Sequence, residues 1–155
     1  MEGWRLLKTK HAAHAFDGEG ARLYGGRWNS PGRPVIYLAS NLALGVLEVL
    51  VHLEDTGPLP AYSQAQAEFD DELLETLDRA SLPEDWALDP APASTRTLGD
   101  AWLEDLRTVV LRVPSAVVHR EWNYLVNPRH ADFAGITFGE LEPFRFDVRL
   151  HGSRS

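Results

Sequence analysis

The sequence specifies one domain of the mixed α+β class, and three observations lead there. Strand-length apolar runs bounded by turn residues stand at residues 35–39, 61–69 and 109–113. Helix-length segments stand between and beside them, at residues 42–53 and 97–106. The chain has 155 residues, 44% of them hydrophobic and 10% aromatic, which is one domain's worth and enough to bury a core without staples. A single domain over residues 1–155 is the expectation.

Composition narrows the function as well. The chain has no cysteine, so disulfides and thiolate chemistry are excluded and a reducing compartment is the natural fit. Met1-Glu2-Gly3-Trp4-Arg5 has no apolar signal core, and no apolar run reaches the roughly 18 residues that a membrane span requires. A cytoplasmic protein with no membrane partner is expected. A formal charge of -8 argues against direct nucleic-acid binding, which draws on Lys and Arg to displace phosphate counterions. A small ligand or a protein partner suits it better.

Residues 4–7 open the chain as a strand, and His11 and His14 follow. Without cysteine or an acidic residue at a companion spacing they read as hydrogen-bonded histidines, and no metal site is expected. Residues 16–23, with Gly18 and Gly20, read as a loop. The glycine-rich turn from Gly25 to Gly32 is neither a Walker loop nor a dinucleotide fingerprint, since it lacks G-x-G-x-x-G and a following Lys-Ser/Thr. It offers Arg27, which either clamps a phosphate or carboxylate or ties the loop down as a hydrogen-bond donor.

In the strand at 35–39, alternation sets Tyr37 on the face of Val35 and Ala39, opposite Ile36 and Leu38. Tyr37 is either core with a satisfied hydroxyl or a ring shown to a planar ligand. Ser40-Asn41 reads as a helix N-cap. From Leu42 to Leu53 the ionisable residues are Glu48 and His52, four apart on one helical face. Burying an unpaired carboxylate costs several kcal/mol, so Glu48 is either ion-paired, with Arg27 as a candidate, or it lines a cleft. His52 reads as a supporting residue.

A connection at residues 54–58 leads to the strand at 61–69 and then to residues 70–78, read as a short amphipathic helix with Leu73, Leu74 and Leu77 inward. Residues 80–96, with Pro83, Pro90 and Pro92, read as a long connection. The helix at 97–106, capped by Thr97, turns Leu98, Trp102, Leu103 and Leu106 inward. Ser115 ends the strand at 109–113 as a turn residue; no G-x-S-x-G elbow surrounds it, which argues against a serine hydrolase. An aromatic and amide-rich segment, residues 122–128, precedes a last strand at 144–150 with one covered and one wet side.

Five blocks of this sequence, in order, resemble the RES domain family, the toxin half of a bacterial type II toxin-antitoxin pair. They are residues 25–32, residues 35–39 running into 47–52, residues 99–103, residues 112–116 and residues 123–130. Residues 55–96 carry nothing specific to the resemblance. The Arg, Glu and Ser of the family's name fall here on Arg27, Glu48 and Ser115.

The resemblance implies a fold similar to the diphtheria-toxin-like ADP-ribosyltransferases, with a central, mostly antiparallel split sheet flanked by helices. It implies NAD+ as a substrate rather than a cofactor, degraded by hydrolysis or by phosphorolysis with inorganic phosphate as co-substrate. It also implies a helix-turn-helix (Xre-type) antitoxin covering the active site, in a complex built on a toxin homodimer. The catalytic set is then Arg27, Tyr37, Glu48 and Ser115, with Tyr24 and Asn127 as further NAD+ contacts. Glu48 stabilises the ribosyl cation, Tyr37 bounds the nicotinamide, Arg27 holds the pyrophosphate or ribose and orients Glu48, and Ser115 contacts the nicotinamide side or the acceptor. Nicotinamide is already a cationic leaving group in NAD+ and needs little acid catalysis to depart, so one carboxylate suffices where ordinary glycosidases need two. A mono-ADP-ribosyltransferase acting on a protein would share every one of these residues, and an inactive binding module would keep an Arg27-Glu48 pair for structure alone.

Overall fold

The computed structural model of the chain describes residues 1–53 and 57–151. Of the connection expected at 54–58, residues 54–56 lie outside the described residues. The strands are β1 (Glu2–Lys8), β2 (Ile36–Ala39), β3 (Tyr62–Glu68), β4 (Leu74–Thr76), β5 (Val110–Pro114), β6 (Trp122–Val126), β7 (Thr137–Phe138) and β8 (Glu142–Phe144). The α-helices are α1 (Glu19–Tyr24), α2 (Leu42–Leu50) and α3 (Ala93–Asp105). Among the described residues the strands form one sheet in the order β4-β5-β6-β2-β1-β3-β7, with β8 also on β3. Among the described residues only β4 and β5 run parallel.

The sheet is nearly divided in the middle. β1 pairs with β3 along its whole length, from Glu2 opposite Glu68 to Lys8 opposite Tyr62, yet it meets β2 only where Trp4 faces Ala39. Beyond that pair the two strands splay, and backbone groups that a ladder would satisfy need other partners. Arg5 supplies one, donating from Nη1 to the Tyr37 carbonyl at 3.4 Å and from Nε to the Ala15 carbonyl at 3.2 Å. A split of this kind is what the family resemblance implies.

Strand alternation distributes three cores around the sheet. Ile36, Leu38, Val110, Tyr124 and Val126 point to one face, with Ala67, Phe69 and Ile136. Val35, Leu111, Val113 and Leu125 point to the other, against Trp102 and Leu103 of α3 and against Trp28. A smaller cluster of Leu6, Tyr62 and Phe146 lies beneath Val46, Val49 and Leu50 of α2. Of the Ser40-Asn41 pair, Asn41 is the residue that caps α2, its Oδ1 accepting from the Leu44 amide at 2.8 Å.

Several local expectations are corrected. Residues 19–24 are helical rather than looped, with Asp17 accepting from the Glu19 amide at the start and Glu19 paired with Arg22 on the next turn. Residues 70–78 are a single 3-10 turn followed by β4, because Leu74–Thr76 finds a parallel partner in Val110–Arg112. Leu73 and Leu74 pack on one core and Leu77 on the other, a division that a helix face does not make. α3 begins at Ala93, four residues before Thr97, behind Pro92, whose φ of -76 suits a helix start. Leu106 leaves that helix in the left-handed region and is exposed. The last strand stops at Phe144 because its partner Tyr62 is the first residue of β3, so no strand remains for residues 145–150. Phe146 still turns inward, edge-on to Tyr62 at 5.0 Å, while Val148 is exposed.

Among the described residues no cluster of His, Asp or Glu is placed to hold a metal, and no helix is long and apolar enough to cross a membrane. His14 bonds Asp17 at 2.6 Å instead, which raises the imidazole pKa above its ordinary value, chiefly through that hydrogen bond.

Candidate active site

Where β1 and β2 splay, α2 crosses the gap and encloses a cavity of about 380 Å³. Trp4, Leu6 and Lys8 of β1, Tyr37 of β2, Glu48 of α2 and Asn123 of β6 line it. Glu48 is the one acidic side chain among the lining residues.

The setting of Glu48 is built from three segments. Ser115 follows β5, fully buried, and accepts from the amides of Val117 and Val118, both at 3.1 Å. A hydroxyl has two acceptor lone pairs and a single proton, so those amides direct the proton elsewhere. It goes to Glu48 Oε1, at 2.7 Å. Asn123 Nδ2 donates to the same oxygen, also at 2.7 Å. Glu48 Oε2 receives no hydrogen bond among the described residues, so the carboxylate is fixed by one oxygen and presents the other to the cavity. Of the two sequence options, Glu48 lines a cleft; the Arg27-Glu48 pair does not form.

Arg27 lies elsewhere. Its Nη1 donates to the carbonyls of Trp86 at 2.9 Å and Leu88 at 2.8 Å, pinning the connection that precedes α3. The loop that carries it is held from within. Asn29, fully buried, donates to the carbonyls of Ala21, Ser30 and Arg33. The Tyr37 hydroxyl donates to Asn29 Oδ1 at 2.7 Å and accepts from the Trp28 amide at 3.1 Å. α3 holds the loop from outside: Asp100 accepts from the Ser30 amide and hydroxyl, and Thr95 donates to the Arg27 carbonyl at 2.6 Å.

Two glycines permit this fit. A Cβ on Gly99 would lie 1.6 Å from the Trp28 carbonyl oxygen, and one on Gly26 would lie 2.6 Å from the Tyr37 hydroxyl.

Tyr37 thus combines the two roles its sequence left open: the hydroxyl is satisfied within the frame, and the side chain belongs to the cleft wall. Burial pushes its hydroxyl pKa well above the ordinary phenol range, so it stays protonated and remains a donor to Asn29. Tyr24 is 83% exposed at the end of α1 and does not line the cavity. Asn127 is buried in the turn after β6, where its Oδ1 accepts from the Arg129 amide at 3.0 Å. His52, read as support, is exposed and lines the cleft directly.

Sequence reasoning missed Asn123, Arg5, Asn29 and Asp100. Asn123 had a signal of the same kind as Glu48, an amide set among strand residues that are otherwise aromatic or aliphatic. Arg5 had none, because its role depends on where two strands part.

The RES domain model matches residues 2–147. The chain belongs to the RES domain family. Toxin Res of Yersinia enterocolitica is 40% identical over 149 residues, covering 95% of this chain and 97% of that protein. The Prs ADP-ribosylating toxin of a Sphingobium species is 37% identical over 153 residues, covering 95% and 94%. Among solved structures, the Mycobacterium tuberculosis MbcT-MbcA toxin-antitoxin complex contains a chain that superposes with a TM-score of 0.66 at 20% identity, covering 92% of this chain and 83% of that one. The fold of this RES domain is therefore the mixed α+β one expected, with a mostly antiparallel sheet flanked by helices, and it is shared with that toxin-antitoxin structure.

Proposed function

We propose that this RES domain is the toxin of a toxin-antitoxin pair and cleaves the nicotinamide-ribose bond of NAD+. The observation that carries the reading is Glu48, anchored through Oε1 and open through Oε2, as the lone acid of a cleft walled by Tyr37. In the reaction the ribose C1′–N bond breaks, its electron pair leaves with neutral nicotinamide, and positive charge develops on the ribose. A fixed carboxylate stabilises that charge, and preorganised electrostatics of this kind are worth about 10²–10³ in rate. Water or phosphate then attacks C1′ and releases a proton.

Ser115 and Asn123 act by holding Glu48, and Arg27 acts through its loop, which sets Tyr37. Tyr24 and Asn127 have no part in this reading, as they stand away from the cleft. The toxins among its relatives support a cognate antitoxin; a helix-turn-helix antitoxin seated over the cleft, in a complex built on a toxin homodimer, is tested by the mass of the co-purified complex.

Incubation of antitoxin-free protein with NAD+, with and without phosphate, separates the outcomes. Free ADP-ribose marks hydrolysis and ADP-ribose-1″-phosphate marks phosphorolysis. A second reading, transfer of ADP-ribose to a protein, is favoured by the name of the Sphingobium relative and marked by a labelled protein. Intact NAD+ in every arm overturns both.

A further inference from the structure

The cleft does not end at His52. A second cavity, also about 380 Å³, adjoins the first and shares Lys8, His52 and Leu53 with it; Pro58, Pro60 and His151 form its far side. The polarity changes along this trough. One end holds Glu48 and Asn123, while the middle holds Lys8 and His52, and among the described residues no acidic side chain lines the second cavity. Neither Lys8 nor His52 makes a side-chain hydrogen bond or ion pair among the described residues, so their donors are free to meet a ligand. His52 stands four residues past Glu48, in the turn that follows the end of α2 at Leu50.

We infer that the Lys8-His52 junction seats the pyrophosphate of a dinucleotide whose ribosyl bond lies at Glu48, with the adenosine extending over Pro58 and Pro60. The inference rests on the NAD+ reading above and names the part of the substrate that the second cavity takes. It also relocates the pyrophosphate contact. Arg27, the sequence candidate, has its guanidinium on the Trp86 and Leu88 carbonyls, whereas Lys8 is on the cleft wall. A trough with the Glu48 carboxylate at one end and the Lys8 ammonium at its middle matches a substrate that develops positive charge at C1′ and carries negative charge at its phosphates.

Steady-state kinetics on the full chain test it, using Lys8→Gln and the charge-keeping Lys8→Arg. Lys8→Gln should raise KM for NAD+ about tenfold, the weight of one charge-assisted contact, with kcat nearly unchanged. It should weaken inhibition by ADP-ribose by the same factor and leave inhibition by nicotinamide as it was, and Lys8→Arg should restore most of both losses. An active Lys8→Gln protein with wild-type KM and wild-type ADP-ribose inhibition overturns the seat while leaving the NAD+ reading intact. If the wild-type chain leaves NAD+ uncleaved, the reaction reading fails and the seat falls with it. A drop in kcat at unchanged KM overturns it too, since that marks a role in the chemical step or the frame.

Discussion

The loop at residues 25–32 and the helix α2 invert the usual relation between polarity and exposure. The loop is rich in polar groups, yet Asn29 is fully buried and Trp28 nearly so, and the loop's donors and acceptors meet Tyr37, Thr95 and Asp100 inside the protein. α2 is almost wholly apolar, yet Leu47 is 41% exposed and Val51 just beyond it is 56% exposed. A buried polar group must be hydrogen-bonded, so the loop becomes a rigid frame held on every side. A carboxylate at the edge of a half-open helix needs fewer partners, so Glu48 can keep one oxygen for a ligand. The motif with the most polar residues is scaffold, and the chemistry we propose sits on the apolar helix.

Five experiments break or sharpen that contrast. The largest effect is expected from Gly99→Ala: the added Cβ meets backbone of the loop at 1.6 Å, and α3 cannot seat without displacing it. A loss beyond about 4 kcal/mol is expected, enough to leave little folded protein at ordinary temperature; a melting curve close to wild type would show that the loop is not clamped. Glu48→Gln comes next. Its side-chain oxygen can still accept from Ser115 and Asn123, so thermal stability should hold while NAD+ turnover drops about 10²–10³-fold. A clear stability loss with turnover retained would instead make Glu48 part of the frame.

Asn123→Ala removes one of two donors to Glu48 Oε1 and should lower kcat about tenfold, with KM little changed. Ser115→Ala removes the other donor and also leaves the Val117 and Val118 amides without their acceptor, so stability should fall along with kcat; this difference separates the two residues. The smallest effect lies far from both regions. Asp17 raises the His14 pKa, so that contact is fully present below the ordinary 6.5 and is lost as pH rises through the folded-state value. An imidazole titration midpoint above 6.5 that falls back in Asp17→Asn is the expected NMR result, with NAD+ cleavage unaffected.

Much of the frame was readable in the chain. The strand at β2, the Asn41 cap and the isolation of Glu48 follow from short-range pattern, because periodicity and capping act between residues a few places apart. The errors fell where a distant partner decided the outcome. β4 is a strand because β5 is there to pair with it, and residues 145–150 are not a strand because β3 has run out. Arg27 shows the same limit: an arginine beside two glycines has the right charge for a phosphate, but its carbonyl partners lie about sixty positions along the chain.

The sequence by itself determined that one carboxylate would stand in an apolar helix beside a glycine-rich turn, since the penalty for burying charge follows from composition and spacing. Which groups answer that penalty was decided only by the tertiary structure. Ser115 and Asn123 come from two segments that reach Glu48 where β1 and β2 part, and the hydrogen bonds they bring depend on a strand divergence that no local pattern encodes.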